Sequence, residues 1–377
     1  MTANCHLVGK DVPRVFHLIP DLEYCGAGRQ LFLLSKGLIQ RGFDVRVCVL
    51  GGNGPLLRNF EQANIPLELL NWRRLVDIQP LLRIRSVLRE FQPDVIHAWK
   101  SPAWRLALMA AGSPRLVMVG AFADGSHRWS PNKVDGWLLR RSAGLIATSN
   151  SEAKKYLSQS IPPDRIHVIA PGVEKKKNQP AGIPLPDNAR VIVCVGPLDA
   201  NKGYLDAIWA FDILKYLYED LHLVIVGDGP QRTSLMEFVR ADPNRSGVHF
   251  VGLQPDVTPF LGRAEVVWVP GHIDRGLNVL LEAMAAARPV VASQLAAFAD
   301  VVADGQTGLL YTPGDKAGLA KQTHRLLDDP NRRMEMGRAA QARVEQDFSV
   351  SRMVERYLEV YRCGSFFPSV SALRSAQ

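Results

Sequence analysis

Two stretches of strand-like apolar runs, each interleaved with helical periodicity, constrain this chain more than any other feature. In the first half, residues 14–20 (RVFHLIP), 44–50 (DVRVCVL), 93–99 (PDVIHAW), 114–122 (PRLVMVGAF) and 144–150 (GLIATSN) are such runs. Between them, residues 28–42 read as a helix with Leu31, Leu34, Leu38 and Ile39 on one stripe and Gly42 as its stop. Residues 77–91 (DIQPLLRIRSVLREF) read as another helix. The alternation restarts after residue 190, with strands at 191–196, 221–227, 248–252, 264–270 and 288–293 and a helix at 203–217. Near-continuous Val/Ile/Leu strands separated by helices predict parallel sheets covered on both faces. The expected class is therefore α/β, with two successive doubly wound domains.

The boundary falls where composition changes. Residues 171–190 (PGVEKKKNQPAGIPLPDNAR) carry four prolines and a lysine triplet between two strand-rich regions. The expected domains are 1–180 and 181–348. A last helix (349–365) is expected to pack back on the first domain, and 366–377 is expected to be a loose tail.

Composition excludes several classes. Hydrophobic residues make up 47% and charged residues 22% of the chain, as in soluble globular proteins. No apolar run reaches the roughly 18 residues of a membrane span, and the N-terminus has no apolar signal-peptide core. Five scattered cysteines (Cys5, Cys25, Cys48, Cys194, Cys363) form no CxxC pair, which argues against a disulfide framework or a zinc site. The expected location is cytoplasmic, with peripheral attachment to the inner face of the membrane as an extension. Charge supports that extension: residues 1–180 hold 25 Lys and Arg against 14 Asp and Glu, while 181–377 hold 20 against 23. A basic first half favours an anionic membrane surface, lipid phosphate or acidic glycan; scattered solubilising charge is the alternative. Residues 72–91 place Arg73, Arg74, Arg83, Arg85 and Arg89 among Leu and Ile. They fit either a membrane-surface helix or an ordinary helix with its stripe in the core. No nucleic-acid-binding motif is present.

Open parallel sheets bind ligands beyond the carboxyl ends of their strands, so the loops after strands are the places to look. The first, DLEYCGAGRQ, has Gly26 and Gly28 but is not GxGxxG, which argues against a dinucleotide dehydrogenase. After Gly196, Lys202 precedes Gly203 and a helix, a setting that suits a phosphate or an ordinary surface lysine. DGPQR (228–232) is another glycine turn. In VPGHIDRGLNVLLEAMAAARPVV (269–291), a helix is expected to start near Asn278, capped by Asn278 or Gly276. Val279, Leu280, Ala283 and Ala287 are expected to face inward. Asp274 and Glu282 flank the amide-rich helix start, where two carboxylates beside an anion are unfavourable unless they face hydroxyl groups. A sugar nucleotide offers both surfaces. A loop-capping Asp274 and an exposed helical Glu282 are the alternative.

These residues, with LVIVGDGPQRTSL, VHFVGLQPDVTPFL, VVADGQTGLLYTPGD and LLDDPNRRMEMGRAAQARVEQDFS, resemble the retaining nucleotide-sugar glycosyltransferases of family 4. GAGRQLFLLSKGLIQRGFDVRV, QPDVIHAW and AGLIATSNSEAKKYL extend the resemblance over nearly the whole chain after residue 13. It implies the GT-B fold, two Rossmann-like domains facing across a cleft. It implies transfer of a sugar from a nucleotide-diphosphate donor to a glycan or lipid-linked acceptor, in polysaccharide, lipopolysaccharide or glycolipid assembly, without metal or cofactor. By the resemblance Glu282 holds the ribose, Asp274 contacts the donor sugar and Lys202 neutralises the diphosphate. Gly26, Ala27, Gly28, Gly229, Gly252, Leu253, Arg275, Gly276, Leu277 and Asn278 complete the expected donor site. Catalysis would then rest on position and electrostatics, the leaving phosphate taking the acceptor proton.

The sequence departs from the family pattern at named positions. Pro197 stands for the usual arginine, DRGL (274–277) for Glu-Gly-Phe-Gly, and Ala296 and Ala297 for two glycines. A histidine that often touches the donor sugar has no clear match, though Asp124 and His127 lie near its place; His97 reads as structural. Arg275 is expected to replace the missing arginine as a diphosphate clamp. A non-catalytic protein of the same fold, binding a nucleotide sugar or a partner enzyme, is the second reading; an epimerase is a third.

Overall fold

The computed structural model describes residues 12–51, 54–72, 79–111, 117–120, 137, 139–140, 142–175, 185–186 and 188–363. The chain divides into two compact units, Met1–Pro171 with Val350–Gln377, and Gly172–Ser349.

The first unit is built on a seven-stranded parallel sheet in the order β3-β2-β1-β4-β5-β6-β7. Its strands are β1 (Arg14–Ile19), β2 (Asp44–Val49), β3 (Leu67–Leu69), β4 (Val95–Trp99), β5 (Val117–Gly120), β6 (Gly144–Ala147) and β7 (Ile166–Val168). Apolar side chains cover both faces. On one, Val15, Ile19, Val47 and Val49 pack with Leu31, Leu34 and Leu38 of the helix Gly26–Ile39 and with Val354, Tyr357 and Tyr361 of the helix Val350–Cys363. On the other, Phe16, Leu18, Ile96 and Ala98 meet Ile84, Val87 and Phe91 of the helix Gln79–Phe91 and Trp104.

The second unit carries a six-stranded parallel sheet in the order β10-β9-β8-β11-β12-β13. These strands are β8 (Arg190–Val195), β9 (Leu221–Val226), β10 (Val248–Gly252), β11 (Val266–Val269), β12 (Val290–Ser293) and β13 (Leu309–Tyr311). Counted within the unit, the order is that of the doubly wound nucleotide-binding fold.

The structure corrects some expectations and bears out others. The first helix begins at Gly26, two residues before the expected start, and ends at Ile39. The strands β3, β7 and β13 have no counterpart in the sequence reading. Each is three residues long and lies at a sheet edge, where short strands limit unwanted pairing and leave no long apolar run to detect. His97 is buried within β4; its Nδ1 shares a 2.7 Å hydrogen bond with the Tyr361 hydroxyl, and its ring stacks on Trp99. The apolar stripe of the helix Gln79–Phe91 (Pro80, Ile84, Val87, Phe91) is committed to the core. Arg83 pairs with Glu68 at 2.8 Å, and Arg85 donates to the Met109 carbonyl at 3.1 Å. Arg73 and Arg74 lie outside the described residues. Among the described residues no helix is long and apolar enough to cross a membrane.

Candidate functional site

In the second sheet β8 and β11 are hydrogen-bonded neighbours, although β9 and β10 separate them in sequence. The strand order reverses between them, and the carboxyl ends of strands at such a switch point are where open parallel sheets bind ligands. Those loops are 196–203 and 270–276, and they touch. The His272 N–H donates to the Asn201 carbonyl at 2.8 Å. Gly203 has φ +68°, and a Cβ built on it would lie 1.8 Å from the Pro270 carbonyl oxygen. Only glycine fits both the left-handed backbone and that approach.

Upstream of Gly203, Asp199 accepts from the Asn201 N–H at 2.9 Å and closes the 3-10 turn Ala200–Lys202. The Tyr204 hydroxyl donates to the Gly196 carbonyl at 2.8 Å, tying the helix Tyr204–Lys215 to the end of β8. The turn sets Lys202 facing the second loop, where its Nζ donates to the Arg275 carbonyl at 3.3 Å. Burial pulls the Lys202 pKa down to about 8; Asp199 opposes the shift and the Arg275 charge adds to it. This ammonium is poorly solvated and sits beside a second cation, so an arriving anion would find it largely stripped of water.

The helix Leu277–Ala285 starts at the same place. Its N-cap is Gly276, at φ +132°, and no side chain caps it. Asn278 is therefore not the cap but the second helical residue. Lys202, the Arg275 backbone and this helix start converge on a site whose chemistry favours an anion.

The other predicted residues are distributed as follows. Asp274 accepts a hydrogen bond from the Ala297 N–H at 3.1 Å and so caps the short helix Ala296–Ala299. Glu282 lies half-buried in the second turn of its helix, away from the buried Leu277, Leu280, Leu281, Ala283 and Met284. Val279 and Ala287 are only half-buried, because the core-facing stripe passes through Leu281 and Met284 instead. Gly229 lies after β9, and a Cβ there would sit 2.7 Å from the Leu198 backbone. Gly252 and Leu253 lie at the end of β10, with β9 between them and β8. Gly26, Ala27 and Gly28 belong to the first unit. They form the first turn of a helix rather than a loop, and Gly28 is buried against Leu56. Asp124 and His127 lie outside the described residues.

Comparison with known proteins identifies the family. A profile described as Glycosyl transferases group 1 matches residues 175–343, and one described as Glycosyltransferase Family 4 matches residues 24–177. A glycogen synthase of Mycobacterium tuberculosis is 30% identical over 91% of this chain and 92% of its own length. The chain belongs to glycosyltransferase family 4. A lipopolysaccharide core biosynthesis glycosyltransferase of Rhizobium meliloti is 26% identical over 90% of this chain and 95% of its own. Among solved structures, Anabaena Alr3699/HepE in complex with UDP-glucose superposes with a TM-score of 0.80 at 21% identity, covering 92% of this chain and 98% of that one. The glycosyltransferase thus has two Rossmann-like domains of the GT-B fold.

Three residues beside this glycosyltransferase's candidate site escaped the sequence reading. His272 Nε2 lies 2.9 Å from Asp206 Oδ2, which bridges the second loop to the helix after the first. Lys316 lies 3.7 Å from the other Asp206 oxygen. The only signal for them was Asp206 itself, an acid in the first turn of a largely apolar helix.

Proposed function

We propose that this glycosyltransferase moves a sugar from a nucleotide-diphosphate donor to a hydroxyl of a glycan or lipid-linked acceptor, with retained anomeric configuration and without a metal. The observation that carries the reading is the half-buried Lys202 ammonium beside Arg275, next to a helix start with no side-chain cap, at the switch point of the second sheet. Lys202, Arg275 and the first amides of the helix Leu277–Ala285 hold the diphosphate, in place of the charge a metal would supply. Glu282 grips the ribose hydroxyls, and Asp274 orients the donor sugar. Gly229, Gly252 and Leu253 border the nucleoside, while Gly26, Ala27 and Gly28 lie on the acceptor-side domain. The bond from the anomeric carbon to the diphosphate breaks, the acceptor oxygen bonds that carbon, and the departing phosphate oxygen takes the acceptor proton. The protein contributes position and electrostatics.

The names of the relatives support polysaccharide or lipopolysaccharide assembly, which we place in the cytoplasm, and UDP-glucose is the first donor to test. The exposed Arg85 and Arg89 of the basic first unit favour an anionic acceptor or a membrane surface carrying it. A thermal-shift screen of UDP-, GDP- and ADP-sugars tests donor binding, because a ligand of the native state raises its melting temperature. NMR of the glycoside formed with the stabilising donor tests the stereochemistry. An inverted product, or no stabilisation by any nucleotide sugar, counts against the proposal.

A further inference from the structure

The helix Tyr204–Lys215 is apolar on two faces. Its inner face, with Tyr204, Ala207, Ile208, Ala210, Phe211 and Leu214, is buried in the second unit. Its outer face presents Leu205, Trp209 and Ile213, exposed by 45%, 40% and 43%, and the turn that follows adds Tyr216 at 81% and Leu217 at 60%. Elsewhere among the described residues, large exposed apolar side chains stand one to an element. Isolated ones need no explanation, but a continuous row does. Positions 205, 209, 213 and 217 are successive steps of four, a single ridge about 18 Å long at the α-helical rise.

We propose that this ridge is the interface of a two-fold symmetric dimer of the chain. A row of residues spaced by four packs into the groove beside the same row of a second helix, at a crossing angle of about 50°. A two-fold axis near the middle of the ridge sets Trp209 against Ile213 of the other copy and Leu205 against its Leu217. One patch then serves both copies, as an isologous contact requires. At roughly 200 Å² for each large side chain, the exposed fractions amount to about 500 Å² per copy and about 1,000 Å² in the pair, the lower limit for a specific interface.

The surrounding charges favour a second copy over a lipid surface. Lys316 lies 5.6 Å from the Trp209 ring and 3.7 Å from Asp206. Arg245, 5.1 Å from the same ring, is buried and paired with Asp212 at 2.8 Å, so it presents no charge to a partner, and Lys215 is the one basic residue of the helix itself. Exposed Glu219 follows the end of the ridge. An interfacial membrane helix would instead carry an excess of Lys and Arg beside its apolar face.

Sedimentation equilibrium of the full chain between about 1 and 50 µM, alone and with Ile213→Lys or Tyr216→Asp, tests this. Tyr216 is so exposed that its replacement leaves the fold intact, and Met334→Asp, at an isolated exposed site, is the control. The wild type and the control should run at twice the monomer mass. Each ridge variant should raise the dimer dissociation constant at least about 30-fold, with its melting temperature unchanged at a concentration where the wild type is monomeric. A wild type that stays monomeric at 50 µM overturns the proposal. So does a dimer indifferent to both ridge variants. Salt-insensitive binding of monomeric wild type to lipid vesicles, lost in the variants, would assign the ridge to a membrane and also overturn it.

Discussion

Replacing Gly203 with alanine puts a methyl group into a space two loops already fill. The added Cβ would lie 1.8 Å from the Pro270 carbonyl oxygen, where real Cβ contacts stay beyond 3.0 Å. The loops must part by more than 1 Å to accommodate it. The left-handed φ of +68° costs alanine a further ~1–2 kcal/mol. Parting the loops also weakens the Asn201–His272 and Lys202–Arg275 hydrogen bonds, each contributing about 1 kcal/mol. We expect a loss of about 3 kcal/mol in stability, measured by urea unfolding. Because Lys202 and the start of the helix Leu277–Ala285 move apart, kcat/KM for sugar transfer should fall about 100-fold at temperatures where the variant is folded. Gly305→Ala and Gly314→Ala separate strain from clash. Both glycines have positive φ but nothing within 4 Å, so these variants should lose only ~1–2 kcal/mol and keep their rate. A Gly203→Ala enzyme with wild-type rate and the stability of those controls would refute the loop contact as the organiser of the site.

The pH dependence of donor binding follows from Lys202. Its pKa near 8 leaves it mostly protonated at pH 7 and mostly neutral by pH 9. Donor affinity measured by titration calorimetry should therefore weaken by up to about tenfold per pH unit above 8, and Lys202→Arg should flatten that slope. A flat wild-type profile would count against a diphosphate partner for this lysine. Arg275→Ala should weaken donor binding about tenfold, as expected for one charge-assisted contact; wild-type affinity would make Arg275 a surface charge. In the first unit, burial holds His17 neutral, with its pKa pushed down to about 3, and burial together with His17 lowers that of His97. Both titrate near 6.5 once unfolded, so the stability they preserve is fully present above that pH and is lost as pH falls below it. Melting temperature should fall between pH 6.5 and 5; no change across that window would contradict their burial as neutral groups.

How much of this was legible in the sequence depended on the range of the interaction. The central strands announce themselves as unbroken Val, Ile and Leu runs because a doubly covered parallel strand is apolar on both faces. The edge strands β3, β7 and β13 lack that signature, since three residues pair on one side only. Lys202 and the helix after Arg275 could be picked out as anion-binding candidates from local pattern alone. Their juxtaposition could not, because it depends on Gly203 meeting Pro270, which two whole strands separate in sequence but none in the sheet. The same holds for Asp274. Its spacing to Glu282 suggested a sugar contact, whereas its hydrogen bond to the Ala297 N–H is set by how the loop after β12 packs. The inward face of the helix Leu277–Ala285 was only half found: Leu280 and Ala283 are buried as expected, but almost every residue in the helix is apolar, so periodicity alone could not choose Leu281 and Met284 over Val279.

A crystal structure of the enzyme soaked with UDP tests the central claim most directly. The account predicts the pyrophosphate against the first amides of the helix Leu277–Ala285, within hydrogen-bonding distance of Lys202 Nζ, with the ribose on Glu282. Nucleotide bound elsewhere, with side chains filling the space between Lys202 and Gly276, would contradict it.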